Sequence, residues 1–188
     1  MPIYLGSAKK DFPHARVYLG DKLKYKRSVE FEFSSCPFPT SWTEVTEYEK
    51  YEATNDFGKW IITSSINHMS WIAPKAFDGK DSTEWRCNNL PRTIGIECPV
   101  AIKPAQVHIV HGKQGGGTLQ GFNVITGVWE DLLTLSKTTS STVTVDTEIL
   151  TENYYSQFQI VFTRYSSSSS TVYLYEFQIK SGFYKPLK

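Results

Sequence analysis

The chain has 188 residues, which is long enough for one β-sandwich with an extra arm and short for two full domains. Its formal net charge is +1, and its basic residues are spread along the sequence, so it lacks the clustered positive charge that neutralises nucleic acid phosphates. No apolar run approaches the about 20 residues that span a bilayer, and the N-terminus has no apolar stretch suited to a secretion signal. These features argue against a nucleic acid partner, membrane insertion and a signal peptide, and they favour folding in a cytosol or exit from the cell by a route other than a signal peptide.

The N-terminal residues contain a short internal repeat. Residues 3–7, Ile-Tyr-Leu-Gly-Ser, recur as residues 17–21, Val-Tyr-Leu-Gly-Asp, and each copy is an apolar triplet stopped by a Gly-polar turn. This pattern predicts a β-hairpin arm over residues 1–33. Because an isolated hairpin is marginal in water, the arm is expected to pair with its own sandwich, a symmetry mate or a larger assembly.

The remainder of the chain divides into a linker and a strand-rich region. Residues 34–55 lose periodicity and contain Cys-Pro-Phe-Pro, which predicts a linker followed by a strand or short helix that leads into the next domain. Over residues 56–188, short apolar-polar runs alternate with turn clusters, and 14% of the chain is aromatic, a bias toward strands. We expect strands at residues 60–63, 93–97, 105–110, 121–125, 142–145, 158–162 and 172–179, and a glycine loop at residues 115–117. The spacing predicts an all-β, antiparallel sandwich or barrel over residues 56–188.

Three cysteines, Cys36, Cys87 and Cys98, are an odd number without the spacing of a zinc site. We interpret them as free thiols. A disulfide between Cys87 and Cys98 is the alternative, and it would require an oxidising compartment.

The most informative segment is the turn at residues 74–85. Asp78-Gly79 favours a tight turn, and Asp78, Asp81 and Thr83 place hard oxygen atoms close together, as calcium loops do. The spacing is not that of an EF-hand, so further oxygens would have to come from carbonyl groups and a distant acid.

In this segment the sequence resembles the galactose-binding-like superfamily, which includes discoidin or coagulation-factor C-type domains and family 32 carbohydrate-binding modules. The hallmark Ala-x-Asp-Gly-x-x-x-Thr-x-Trp is matched in register by Ala76, Asp78, Gly79, Thr83 and Trp85. Residues 94–97, 122–132 and 175–179 are similar to later pieces of the family pattern, in the correct order, so the likeness covers about two thirds of the chain. The resemblance implies a jelly-roll β-sandwich that binds and is not an enzyme.

The resemblance also implies a structural calcium ion. Its ligands would be the carboxylates of Asp78 and Glu176, the hydroxyl and carbonyl of Thr83, and the carbonyls of Lys75, Lys80 and Tyr175. The alternative is that Asp78 and Thr83 only hydrogen-bond the turn and that Glu176 is solvated. As motif residues, Trp85 and Trp129 are expected in the core.

Saccharide ligands are held by an aromatic face and by polar side chains that bind hydroxyl groups. Three loops contain such residues: His68, Trp71, Arg86, Asn88, Asn89, Arg164 and Tyr165. Trp71 is the stacking candidate, with a role in capping the core as the alternative. His108 and His111 on a predicted strand are interpreted as structural or surface residues, and Glu130 and Asp131, being adjacent, should point to opposite faces of a strand.

The arm at residues 17–26 is similar to the N-terminal arms of phage virion proteins. The chain also lacks the terminal disulfide of animal discoidin domains, which favours a microbial or viral source. We therefore expect a non-catalytic virion protein, capsid- or tail-associated, that docks on other virion proteins through residues 1–55 as a homo-oligomer or in a symmetric assembly and presents its sandwich to a surface glycan. The alternatives are a purely structural decoration or joining protein, and an accessory carbohydrate-binding module of a glycoside hydrolase system.

Overall fold

The computed structural model describes most of the chain, with gaps. The described residues are 14–19, 22–28, 30–35, 38–46, 49–55, 57–65, 70–88, 90–112, 116–136, 142–164 and 171–185, of which 14–35, 164 and 181–185 are described by their backbone alone. The chain forms two compact units, residues 1–34 with 182–188, and residues 35–181.

The smaller unit contains an antiparallel hairpin. Strand β1 (His14–Leu19) pairs with β2 (Lys22–Ser28), with His14 opposite Ser28 and Leu19 opposite Lys22. Residues 17–19 of the second copy of the repeat lie in β1, whereas residues 20–21 and the first copy, residues 3–7, lie outside the described residues. Strand β3 (Glu30–Ser35) follows along the chain.

The larger unit is built of antiparallel strands with one short helix among its described residues. Its elements are β4 (Thr43–Thr46), β5 (Lys50–Asn55), β6 (Gly58–Ser64), a 3₁₀-helix (Ala73–Ala76), β7 (Trp85–Cys87), β8 (Arg92–Gly112), β9 (Gly116–Asn123), β10 (Trp129–Leu135), β11 (Thr142–Glu148), β12 (Tyr155–Arg164) and residues 172–181 of β13 (Val172–Lys185). One layer has the strand order β10-β9-β12-β8-β6-β5-β4. In the other layer β11 and β13 pair with β8, and β7 pairs with β13. The predicted antiparallel sandwich is confirmed.

Strand β8 belongs to both layers. Residues 92–97 pair with β6 and β12, whereas residues 106–112 pair with β11. Pro99 and Pro104 lie between the two halves, where a missing backbone N–H interrupts the ladder. The sequence predicted two separate strands here, and the structure joins them into one that changes sheet.

The core lies between the two layers and is rich in aromatic residues. In β12 the buried Phe158, Ile160 and Phe162 alternate with half-buried Gln159 and Val161, as expected for a strand with one face toward the core. The largest fully buried side chains also include Trp60, Trp85, Tyr155, Phe77 and Phe177. No helix in the described ranges is long and apolar enough to cross a membrane.

Residues 35–55, predicted as a linker and a leading segment, belong to the larger unit. Strand β5 pairs with β6 over six residues, from Lys50 opposite Thr63 to Asn55 opposite Gly58, and its Tyr51 is buried. The predicted domain start at residue 56 therefore differs from the observed division. The reason is that Tyr51 alone is buried in β5, so the strand has little apolar alternation to mark it in the sequence, and its place in the sheet comes from pairing with β6.

Of the two tryptophans expected in the core, only Trp85 is there. Trp85 is fully buried and donates its indole N–H to Ser64 Oγ at 3.0 Å. The prediction is wrong for Trp129, which is 37% exposed. Trp129 begins β10 at the end of the strand order, where the strand has a neighbour on one side only, and it packs edge-to-face on Phe122, with ring centroids 5.5 Å apart.

Cys87 and Cys98 are free and buried, so the alternative disulfide between them is not formed. Cys36 lies outside the described residues.

Candidate functional site

The turn after the 3₁₀-helix gathers oxygen atoms. Gly79 has a φ of +77°, a left-handed conformation that glycine adopts without steric penalty, and it allows the chain to turn at Asp78. The hydroxyl oxygen of Thr83 lies 2.9 and 2.8 Å from the two carboxylate oxygens of Asp78. It also lies 3.1 Å from the carbonyl oxygen of Lys75 and 3.2 Å from that of Lys80. A hydroxyl has a single proton to donate, so most of these close oxygen contacts are not hydrogen bonds made at the same time.

Glu176 brings a second carboxylate to this turn from β13. The side chain is 1% exposed, its Oε2 accepts a hydrogen bond of 2.9 Å from the backbone N–H of Lys80, and its Oε1 has no hydrogen-bond partner among the described residues. Burial raises the pKa of Glu176 to about 7, and the negative charge of Asp78 contributes to this rise. A buried, incompletely paired carboxylate beside a second one is a place where a cation would remove an electrostatic penalty.

The oxygen set fits calcium in chemistry. Ca²⁺ takes six to eight oxygen ligands from carboxylates, carbonyls and hydroxyls or water. The described residues contain no group of three or more His, Cys, Asp or Glu side chains able to hold a metal, so the carbonyl and hydroxyl oxygens would have to complete the set. Contacts join five of the six predicted ligand residues, Lys75, Asp78, Lys80, Thr83 and Glu176, and Tyr175 is connected as the residue preceding Glu176.

Asp81, also considered from the sequence as an oxygen donor, faces a different group. Its carboxylate lies 3.5 Å from Nε2 of His108, whose Nδ1 lies 2.7 Å from the carboxylate of Asp146 on β11. His108 therefore bridges two acidic residues, in a structural role.

A second feature is an arginine held between two aromatic rings. The guanidinium carbon of Arg86 lies 4.8 Å from the ring centroid of Trp71 and 4.9 Å from that of Tyr173. Arg86 also forms an ion pair with Glu84. Tyr173 stands opposite Arg86 in the β7–β13 ladder and stacks on Tyr175, with centroids 6.3 Å apart and rings 11° from parallel. We call Trp71, Arg86 and Tyr173 the arginine stack.

The structure unites part of the predicted ligand set. Trp71 and Arg86 meet in the arginine stack, and Trp71 is half-buried there. Asn88 is exposed just after β7, and its carbonyl accepts a hydrogen bond of 3.2 Å from Arg92 Nε. His68, Asn89 and Tyr165 lie outside the described residues, as does the side chain of Arg164.

Tyr173 was missed by sequence reasoning. The alternation of Tyr173 and Tyr175 with the buried Leu174 was an available signal, because it places both rings on the outer face of one strand.

A third feature is a cleft of about 300 Å³. It is lined by Thr40, Trp42, Glu44, Tyr51, Ile72, Pro74, Lys75 and Asp78. Half of these residues come from the region predicted as a linker, so sequence reasoning missed the cleft. The tryptophan in the Pro-Thr-Ser-Trp segment was the one available signal, because a large aromatic side chain is unusual in a plain linker.

Similar folds occur among carbohydrate-binding modules of known structure. CpGH89CBM32-6 from Clostridium perfringens has a TM-score of 0.52 at 15% identity, with 68% of this chain and 96% of that module covered. CpGH89CBM32-5 from Clostridium perfringens, in complex with GalNAc-β-1,3-galactose, has a TM-score of 0.54 at 13% identity, with 65% of this chain and 95% of that module covered. Chitosan-binding module 1 of a chitosanase/glucanase from Paenibacillus sp. IK-5 has a TM-score of 0.52 at 19% identity, with 64% of this chain and 93% of that module covered.

The protein has the galactose-binding-like fold of family 32 carbohydrate-binding modules. A scan of the sequence against protein-family models finds no match, and a search of curated proteins finds none either. Within this galactose-binding-like sandwich, the oxygen-rich turn of Asp78, Thr83 and Glu176, the arginine stack and the cleft all include residues of the segment 70–88, between β6 and β8.

Proposed function

We propose that this protein is a non-catalytic saccharide-binding β-sandwich whose ligand contacts the arginine stack. The observation that carries the proposal is the placement of Arg86 between the rings of Trp71 and Tyr173. An aromatic ring offers an apolar surface to the C–H face of a pyranose, and a guanidinium group offers several N–H donors to hydroxyl or carboxylate oxygens. Solved modules of similar fold have been described with GalNAc-β-1,3-galactose and with 4,5-unsaturated mannuronic acid, which suggests the class of ligand.

The arginine stack is also held in place before any ligand arrives. Two ring contacts and the ion pair with Glu84 restrain Arg86, and Tyr173 is fixed by its stacking on Tyr175. Restrained side chains lose less conformational entropy on binding, so the stack is suited to recognition of a polar ligand.

A glycan array followed by calorimetry tests this proposal. The Trp71→Ala variant should lose at least about tenfold in affinity, because removal of an aromatic contact costs about 1.4 kcal/mol or more at a binding hot spot. Trp129→Ala is the matched control, since Trp129 is an exposed tryptophan on another strand, and it should bind as the unchanged protein does. Failure of the unchanged protein to bind any glycan on a broad array would contradict the proposal.

We further propose that calcium occupies the turn of Asp78, Thr83 and Glu176. Its role would be structural, since a divalent cation would neutralise two facing carboxylates and connect the turn to β13. The unpartnered, buried Oε1 of Glu176 and the crowding of oxygens around the Thr83 hydroxyl support this assignment.

Thermal unfolding with EDTA and then with excess calcium chloride tests the calcium assignment. Calcium at about 100 times its Kd should stabilise the protein by about 2.7 kcal/mol and raise the Tm accordingly. Glu176→Gln should abolish the calcium-dependent rise, whereas Glu148→Gln, on an exposed position of β11, should retain it. An unchanged Tm in calcium for the native sequence would refute the site.

For its biological setting, we propose a virion component that docks through residues 1–55 and presents the sandwich. The separate compact unit of residues 1–34 and the edge position of β4, with four exposed residues, support docking by strand addition. Electron microscopy of source particles should show density for this chain in a symmetric arrangement. A particle-bound chain that binds no glycan would favour the alternative of a decoration protein, and absence from particles would favour an accessory module of a glycoside hydrolase system.

A further inference from the structure

The cleft beside the oxygen-rich turn is a candidate ligand site separate from the arginine stack. Its volume of about 300 Å³ is at the small end of the range found for ligand sites, about 300–1,000 Å³. A single sugar ring is a ligand of that size, whereas a folded peptide segment or an extended oligosaccharide is too large to be enclosed.

Four of the eight residues that line the cleft are apolar or aromatic. Trp42 packs against the fully buried Phe77, with ring centroids 6.4 Å apart, and Tyr51 is 2% exposed. Ile72 and Pro74 form another part of the wall, at the start of the 3₁₀-helix. The half-buried Trp42, anchored to the core through Phe77, gives a preformed surface for the C–H face of a sugar.

The polar groups of the lining favour a neutral, hydroxyl-rich ligand. Thr40 and Glu44 contribute a hydroxyl and a carboxylate, and Lys75 contributes an ammonium group whose Nζ donates a 2.8 Å hydrogen bond to the carbonyl of Ser70. Opposite charges on Glu44 and Lys75 offset each other. Asp78 also borders the cleft, and its carboxylate, which accepts hydrogen bonds from the Thr83 hydroxyl and the Lys80 backbone N–H, adds a negative charge that disfavours an anionic ligand.

We propose that this cleft binds one pyranose unit of a neutral saccharide, as a second site beside the arginine stack. The inference rests on the proposed function in that both sites serve saccharide binding. Residues Trp71 and Ile72 are neighbours in sequence, one in the stack and the other in the cleft wall, so a single segment contributes to both sites.

Fluorine NMR of protein labelled with 5-fluorotryptophan can separate the two sites. The chain has five tryptophans, and they occupy distinct environments: Trp42 in the cleft, Trp71 in the stack, Trp60 and Trp85 in the core, and Trp129 exposed on β10. Single Trp→Phe variants assign the resonances. The probes are methyl β-galactoside, N-acetylgalactosamine, GalNAc-β-1,3-galactose, a mannuronic acid oligomer and a chitosan oligosaccharide.

The expected result is a saturable shift of the Trp42 resonance with at least one neutral probe, with the Trp60 and Trp85 resonances unchanged. Glu44→Gln should weaken the titration at Trp42 by about three- to tenfold, because it replaces a charged hydrogen-bond acceptor at the cleft. Glu148→Gln, an exposed carboxylate on β11, is the control and should leave the titration unchanged.

The remaining outcomes separate this inference from the proposed function. A shift of Trp71 without one of Trp42 overturns the cleft site and leaves the arginine stack. A shift of Trp42 without one of Trp71 supports the cleft and removes the stack as a ligand site. No saturable shift with any probe overturns both.

Discussion

At the scale of single residues, His108 and His111 on β8 show how environment decides the role of a side chain. Burial works to lower the pKa of His108, but the hydrogen bond to Asp146 and the charges of Asp146 and Asp81 outweigh it, so the pKa is raised. Burial lowers the pKa of His111, whose Nδ1 lies 3.1 Å from the carbonyl oxygen of Gly112. Protonation therefore stabilises the fold at His108 and destabilises it at His111.

Replacing His108 with glutamine should reduce stability in acid more than in alkali. Because the folded pKa of His108 exceeds the reference value of 6.5, its stabilising contribution is complete below that value and disappears as pH rises through the folded pKa. We expect a loss of about 0.5–1 kcal/mol near pH 5.5 and little loss near pH 9, as measured by urea unfolding. Both proteins contain His111, so its opposite contribution cancels. Equal losses at the two pH values would rule out the charged pairing.

Adjacent acidic residues illustrate what sequence can settle at this scale. Glu130 accepts hydrogen bonds from Asn123, Asn153 and Tyr155, whereas Asp131 accepts one from Gln120. The expectation that Glu130 and Asp131 point to opposite faces is confirmed, because strand alternation is a local property.

At the scale of elements, β9 shows that a glycine run can be required by sheet packing. Residues 115–117 were expected to form a loop, but Gly116 and Gly117 begin β9. A Cβ at Gly117 would overlap the carbonyl oxygen of Val161 and approach the Cα of Phe162 to 3.1 Å. Backbone atoms of β12 cannot move aside as a flexible side chain can, so only glycine fits this approach between strands.

Gly117→Ala should therefore destabilise the protein although it adds a single methyl group. The β9–β12 pair must shift to accommodate the Cβ, and we expect a loss of about 1–3 kcal/mol. The measurement is urea unfolding, with Thr118→Ala as the control, because Thr118 is the next residue on β9 and points to the opposite, less buried face. We expect the control to lose about 0.5 kcal/mol or less. If Gly117→Ala lowered the free energy of unfolding no more than the control does, the backbone of β12 would be shown to shift easily at this point.

At the scale of the whole molecule, the two layers enclose both described thiols. Cys87 is 3% exposed and Cys98 is 7% exposed, and burial raises the pKa of Cys87 to about 12 and that of Cys98 still further. The thiolate is the reactive form, so raised pKa values and lack of access both suppress reaction.

In a Cys36→Ser variant, both remaining thiols should resist Ellman's reagent while the protein is folded and react fully in guanidinium chloride. Exposure of either thiol requires separation of strands that pack the core, so the rate of labelling reports opening of the sandwich. Single Cys87→Ser and Cys98→Ser changes in the same background identify which thiol reacts. Rapid labelling of one equivalent in the folded protein would indicate that one layer opens independently.

The sequence by itself determined the fold class, most of the strands and the turn at residues 76–85. These features depend on the alternation of side chains along one strand and on residues close together in the chain. They can therefore be predicted without knowing which strands pair. Asp78, Gly79, Thr83 and Trp85 lie in one such segment, and the turn forms with the contacts that their spacing suggested.

Only the tertiary structure decided how distant strands meet. The change of sheet within β8, the exposure of Trp129 and the membership of β5 in the sandwich all depend on which strand lies alongside, and alternation gives no information about that. The same reason applies to the sites. Arg86 meets Tyr173 because β7 pairs with β13, and the cleft exists because residues 40–44 and Tyr51 lie beside the 3₁₀-helix.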